Sequence, residues 1–85
     1  MNWELHLRKR VKKYLSRFSQ KDQIYITVGL KKLVINPYSG DIEKISGEEN
    51  VWRRRVGAYR IFYEIISQKK VIRVFRIERR TSKTY

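Results

Sequence analysis

Arginine carries whatever chemistry this chain performs. Arg53, Arg54 and Arg55 stand in succession, Arg60 follows shortly after, and Arg79 and Arg80 precede Tyr85. A guanidinium is planar, always charged and able to clasp two oxygens of one phosphate. Residues 51–85 hold eleven Lys/Arg against two Glu, a net +9 of the chain's +13, interleaved with aromatic and β-branched residues. Such a segment reads as a strand meander that bears a row of guanidinium groups, and RNA is the partner it favours. Composition removes other chemistries. With no cysteine there is no thiolate nucleophile, disulfide or thiolate-bound metal. A single histidine, His6, leaves too few ligands for a zinc site; it points outward from a strand with only Glu4 near it. Glu48 and Glu49 fall in a loop, and no carboxylate pair suggests a metal or glycosidase site. Neither a metal nor a cofactor is expected.

The elements that must position these arginines can be read from periodicity. Trp3, Leu5 and Leu7 alternate with Glu4 and His6, a short strand with one apolar face. From Arg8 to Phe18 the period changes: Val11, Tyr14, Leu15 and Phe18 form a helical stripe, with Lys and Arg on the other face. Ser19 with Asp22 three residues on resembles a capping box. A second helix is predicted over about 21–35, presenting Ile24, Val28, Leu30 or Lys31, and Val34, although Gly29 in its middle costs about 1 kcal/mol relative to Ala. Asn36-Pro37 stops it. A short edge strand is predicted over 42–45, then strands over about 51–56, 59–66 and 70–77, with Gly57-Ala58 as a tight hairpin connection. The expected fold is α+β: an N-terminal strand, a helical hairpin, then a three- to four-stranded, mostly antiparallel twisted sheet. Arg53 and Arg55 share one face of their strand, Arg54 the other. In the next strand Ile61, Tyr63 and Ile65 alternate with Arg60, Phe62, Glu64 and Ile66. Both faces hold apolar residues, and one helical layer can cover only one of them. The other face is left open to a partner.

Residues 1–85 are expected to form one domain, which at this length buries only about 60–65% of its unfolded surface. A net charge of +13 adds self-repulsion, which points to an acidic companion. No apolar run approaches the roughly 20 residues needed to span a bilayer, and the first ten residues lack a signal-peptide pattern. The expectation is a cytoplasmic protein without a membrane partner.

The run from Trp52 to Glu64, WRRRVGAYRIFYE, with Arg79 and Tyr85, resembles the RelE toxins of type II toxin–antitoxin modules. The most diagnostic piece is Val56-Gly-Ala-Tyr-Arg-Ile-Phe-Tyr63. The likeness covers nearly the whole chain, since those toxins share the element order read above. It implies a ribosome-dependent mRNA endoribonuclease that works without metal, by attack of the 2′-hydroxyl on its own phosphodiester, and a cognate antitoxin in a hetero-oligomeric complex. Carried over by position, Arg53 and Arg55 replace a basic pair on the strand, Arg60 clamps the scissile phosphate, Arg79 stabilises the leaving group and Tyr85 orients the 2′-hydroxyl. Whether Arg79 or Arg80 is the active arginine is a question of register, with Arg79 favoured by its distance from Tyr85. Arg8, Arg10, Lys12, Lys13, Arg54, Arg80 and Lys83 are expected to contact RNA.

The well-studied members carry Lys at the strand pair, where a desolvated amine can act as a base. Arginine cannot, with a pKa above about 12. The general base then falls to Tyr85, to ribosomal RNA or to no single group. Two further functions fit the same residues. One is a ParE-like inhibitor of DNA gyrase, because that branch of the superfamily shares the architecture. The other is a non-catalytic RNA-binding module that needs only arginine–phosphate contacts and aromatic stacking.

Overall fold

A computed structural model describes residues 3–79. Their order is β1 (Glu4–Leu7), α1 (Lys9–Leu15), α2 (Gln20–Ile35), β2 (Ile42–Lys44), β3 (Val51–Val56), β4 (Tyr59–Ile66) and β5 (Val71–Arg79). The class is the expected α+β, with a helical hairpin on one face of a sheet. The strand count differs: one five-stranded sheet runs β1-β5-β4-β3-β2. The N-terminal strand joins it in parallel with β5, Glu4 opposite Val71 and Leu7 opposite Val74. The remaining pairs are antiparallel. In β1 the alternation holds, with Leu5 and Leu7 half-buried against the core and Glu4 and His6 exposed.

The stripe on α1 packs as its spacing requires. Val11 is buried, and Tyr14, Leu15 and Phe18 lie partly buried against the core. Ser19 caps α2 by accepting a hydrogen bond from the Asp22 amide at 3.2 Å. The Asp22 carboxylate instead accepts from the Tyr59 hydroxyl at 2.9 Å, tying the helix start to β4.

The buried face of α2 only partly matches its apolar pattern: Leu30 is buried as expected and Val34 is half-buried. Ile26, Leu30 and Leu33 enter the core, whereas Ile24 and Val28 are 59% and 47% exposed. Gly29 is the physical reason. A Cβ built there would lie 2.9 Å from Val56 Cγ2, so the helix rests on β3 at its glycine, and Ile26, Leu30 and Leu33, within a turn of that contact, are buried. Gly29→Ala thus sets a helix-propensity gain of about 1 kcal/mol against an overpacking cost of about 1–3 kcal/mol. The expected result is a lower urea midpoint. In Gly29→Ala/Val56→Ala, the two losses should sum to less than the single variants predict, because the second change removes the methyl groups that the first one meets.

On the covered face Ile61, Tyr63, Ile65, Ile72, Val74 and Ile77 meet Val11, Ile26, Leu30 and Leu33. Tyr63 is wholly buried, and its hydroxyl donates to the Pro37 carbonyl at 2.8 Å. That bond fastens the chain just after α2 to the middle of the sheet. Burial pushes the Tyr63 phenol up to about 12. The folded state therefore holds this proton more tightly than the unfolded chain, whose tyrosines titrate near 10. Its contribution is complete below about pH 10 and is lost as pH rises through 12, at about 1.4 kcal/mol per pH unit. Stability measured by urea titration should be level up to about pH 10 and fall with that slope between about pH 10 and 12, and Tyr63→Phe should flatten the curve. The variant also strands a buried carbonyl, at about 1–3 kcal/mol.

Candidate nucleic-acid interface

Register decides which arginines meet. Across β3 and β4, Arg53 pairs with Phe62 and Arg55 with Arg60. Across β4 and β5, Arg60 pairs with Glu78, Phe62 with Arg76 and Glu64 with Arg73. Directly opposed residues project to the same side of a sheet. Arg53, Arg55, Arg60, Arg73 and Arg76 therefore share the face away from the helices, around Phe62. Arg73 and Arg76 are three residues apart and still share it, because β5 carries an irregularity: Phe62 opposes Arg76 and Tyr63 opposes Val74, leaving Phe75 as the extra residue. A bulge of this kind resets the inside–outside alternation. The Phe62 and Phe75 rings lie 6.4 Å apart, and the Arg76 guanidinium sits 5.5 Å over Phe62.

Each of these arginines has a carboxylate. Arg53 pairs with Glu43, Arg55 with Asp41 at 3.8 Å, Arg60 with Glu78 at 3.3 Å, Arg76 with Glu78 at 2.7 Å and Arg73 with Glu64 at 3.4 Å. Five guanidiniums against four carboxylates leave this face close to neutral. Exposed pairs of this kind contribute about 0–1 kcal/mol, so a phosphate that offers better geometry can take the guanidiniums over. Among the described residues no group of three or more His, Cys, Asp or Glu could hold a metal ion.

The rest of the expected site divides. Arg54 is no surface contact for RNA: it projects to the covered face and is only 8% exposed. Its guanidinium donates to the Ser39 carbonyl at 2.6 Å, beneath the turn that follows α2. Gly40, at φ 93°, is needed over it, since a Cβ there would clash with the guanidinium. Arg79 lies opposite Tyr59, also on the covered side, with its guanidinium 5.9 Å over that ring. It does not join Arg53, Arg55 and Arg60. Tyr59 stacks in turn on Phe18 at 4.8 Å; burial and its bond to Asp22 raise its pKa. Arg80, Lys83 and Tyr85 lie outside the described residues.

A second cationic surface was legible in part. Arg8, Arg10, Lys12 and Lys13 are exposed on and beside α1, and none of them forms an ion pair among the described residues. With Tyr14, Arg17, Phe75 and Ile77 most of them border a groove of about 880 Å³ between α1 and β5. The groove exists because β1 pairs with β5 only as far as Val74; there the chain turns away, and Arg8 donates the last bond to the Val74 carbonyl at 3.0 Å. No helix among the described residues is long and apolar enough to cross a membrane.

Known proteins share this architecture. A chain of an archaeal RelE–RelB complex from Pyrococcus horikoshii superposes with a TM-score of 0.83 at 23% identity, covering 98% of this chain and 100% of that one. The isolated Escherichia coli RelE toxin gives 0.82 at 17%, covering 95% and 87%. A chain of a toxin–antitoxin complex from Mycobacterium tuberculosis gives 0.82 at 15%, covering 94% and 100%. A search of curated proteins finds no match. Residues 5–83 match the family model described as the ParE toxin of type II toxin–antitoxin systems, parDE. With nearly its whole length matched, and with the fold of RelE, the chain belongs to the ParE toxin family of type II toxin–antitoxin systems, within the RelE/ParE superfamily.

Proposed function

We propose that this toxin is a ribosome-dependent mRNA endoribonuclease, active in the cytoplasm and silenced by a cognate antitoxin. The observation that carries the reading is the open-face register, with Arg55 directly opposite Arg60 and Arg53 beside Phe62. Cleavage by the neighbouring 2′-hydroxyl passes through a phosphorane that is more negative than the diester. Fixed cations at that position stabilise the transition state more than the ground state, which is what accelerates a reaction. Arg60 is held near the start of the central strand and would clamp the scissile phosphate. Arg53 and Arg55 would neutralise its other oxygens, acting electrostatically because a guanidinium has no proton to lose. Phe62 offers a face on which a base can stack. The products are a 2′,3′-cyclic phosphate and a 5′-hydroxyl. Tyr85 keeps its proposed part in orienting the 2′-hydroxyl. Arg79, turned toward Tyr59, would serve the RNA outside the reacting phosphate.

The antitoxin would lie in the groove between α1 and β5. Its apolar floor at Ile77 and Phe75, its cationic rim and the edge of β5 beyond Val74 suit an extended or helical acidic segment. The unpaired cations of α1 would rest on ribosomal RNA when the groove is empty. A second reading, inhibition of DNA gyrase, is favoured by one observation: every open-face arginine already has a carboxylate.

Primer extension on a defined mRNA, with programmed ribosomes and ribosome-free controls, tests the first reading. Discrete cuts in the decoding site are expected. Uncut message together with inhibited supercoiling by purified gyrase would replace it with the second.

A further inference from the structure

One carboxylate sits inside the arginine cluster rather than at its border. Glu78 Oε1 accepts from Arg60 at 3.3 Å, and Oε2 accepts from Arg76 at 2.7 Å. Its side chain is 29% exposed, open enough for a substrate to reach. Glu78 stands directly opposite Arg60, and the next open-face residues on the two strands, Phe62 and Arg76, are paired as well. The other carboxylates on this face are peripheral. Asp41 and Glu43 are 70% and 65% exposed beside the edge strand, and Glu64 lies toward the far end of β4 with Arg73.

We infer that Glu78 is the general base of this toxin, an inference that rests on the endoribonuclease reading above. Transphosphorylation needs an acceptor for the 2′-hydroxyl proton within about 2.6–3.2 Å. The arginines that replace the family's lysines cannot provide one. A phosphate clamped by Arg60 lies within a side-chain length of Glu78, because the two residues are cross-strand partners about 5 Å apart at Cβ.

The resting ion pairs then have a use. Before substrate binds, Glu78 holds the Arg60 and Arg76 guanidiniums over the open face. An arriving phosphodiester takes over those N–H donors, and the carboxylate oxygens are released toward the ribose. The 2′-O–H bond breaks, and its proton passes to Glu78. The freed electron pair forms the O2′–P bond. The P–O5′ bond breaks with its pair on O5′, which takes a proton from water. Glu78 then returns its proton to the resulting hydroxide. Charge and atoms balance without a metal or a second side chain.

The test is single-turnover cleavage of ribosome-bound mRNA at saturating toxin, comparing wild type, Glu78→Gln and Glu78→Ala, each checked by thermal melting. Glu78→Gln keeps the shape and an acceptor for arginine but is not a base, so its rate should fall by about 100-fold or more with ribosome binding unchanged. Added formate should restore part of the Glu78→Ala rate in proportion to its concentration. Cleavage by Glu78→Gln within about threefold of wild type, below the range of general-base effects, would overturn the inference and leave the endoribonuclease reading intact. Slow variants that formate does not rescue would also overturn it, making Glu78 a positioning residue for Arg60 and Arg76. If wild type itself leaves the message uncut, the endoribonuclease reading fails and the base assignment goes with it.

Discussion

Arg60→Ala is expected to slow mRNA cleavage on programmed ribosomes by about 10²–10³-fold, the effect of removing one preorganised donor from a developing anion. Arg60 lies on the central strand, flanked in register by a second arginine, Arg55 on β3, and by a carboxylate, Glu78 on β5. It is the natural centre of a phosphate site for that reason. Arg60→Lys should recover a small part of the rate, because an ammonium supplies charge without the bidentate fork. The fold should tolerate either change. The Arg60 side chain is 34% exposed, and a pair of that kind contributes at most about 1 kcal/mol. Single-turnover cleavage and thermal melting, run on the same preparations, check both statements. A rate equal to wild type in a folded Arg60→Ala protein would move the reacting phosphate off this face.

Leu33→Ala should be among the most damaging single changes to the fold, at about 2–5 kcal/mol. Leu33 is wholly buried, one turn beyond the Gly29 contact, where rigid strands leave the site little room to collapse. A domain of this length has about 4–13 kcal/mol in total, and its charge works against compaction. The variant should therefore be partly unfolded at 37 °C. Val28→Ala is the matching control. That side chain is 47% exposed, and its removal should change stability by no more than about 0.5 kcal/mol. Urea midpoints for the pair measure how sharply the two faces of α2 differ. Equal losses would mean that α2 packs by Ile24 and Val28 after all.

Those two residues also mark where the sequence was legible and where it was not. The α1 stripe, the Ser19 cap, the Gly57-Ala58 hairpin and the split of Arg53 and Arg55 from Arg54 all follow from local rules, and all appear in the structure. The face of α2 followed only in part. Its sequence is apolar on two sides, and the choice between them belongs to Gly29, whose missing side chain matters only when Val56 is opposite. Arg54 shows the same limit from the other direction. Alternation gives its side of the strand, but nothing local says that the turn at Ser39 and Gly40 covers it.

The site was legible to the same degree. Arg53, Arg55 and Arg60 share a face because β3 and β4 are joined by a tight turn whose length fixes their register. The partnership with Arg76 and Glu78 depends on the extra residue in β5, which no composition rule signals. Carrying roles over by distance from Tyr85 selected Arg79, and strand geometry turns that side chain toward Tyr59. Glu43, Glu64 and Glu78 lie far apart along the chain. Pairing brings all three among the arginines.

The parallel neighbour of β1 is β5, and this governs when the protein can act. On the translating ribosome β1 and both helices emerge while the strand that anchors them is still unmade. At about 5–20 residues per second, the nascent segment spends several seconds without its central partner. Glu78 lies on the same late strand as Arg76, so the arginine cluster is assembled only after β5 has left the exit tunnel. Whatever these arginines bind, they can bind it together only once the last described strand is in place.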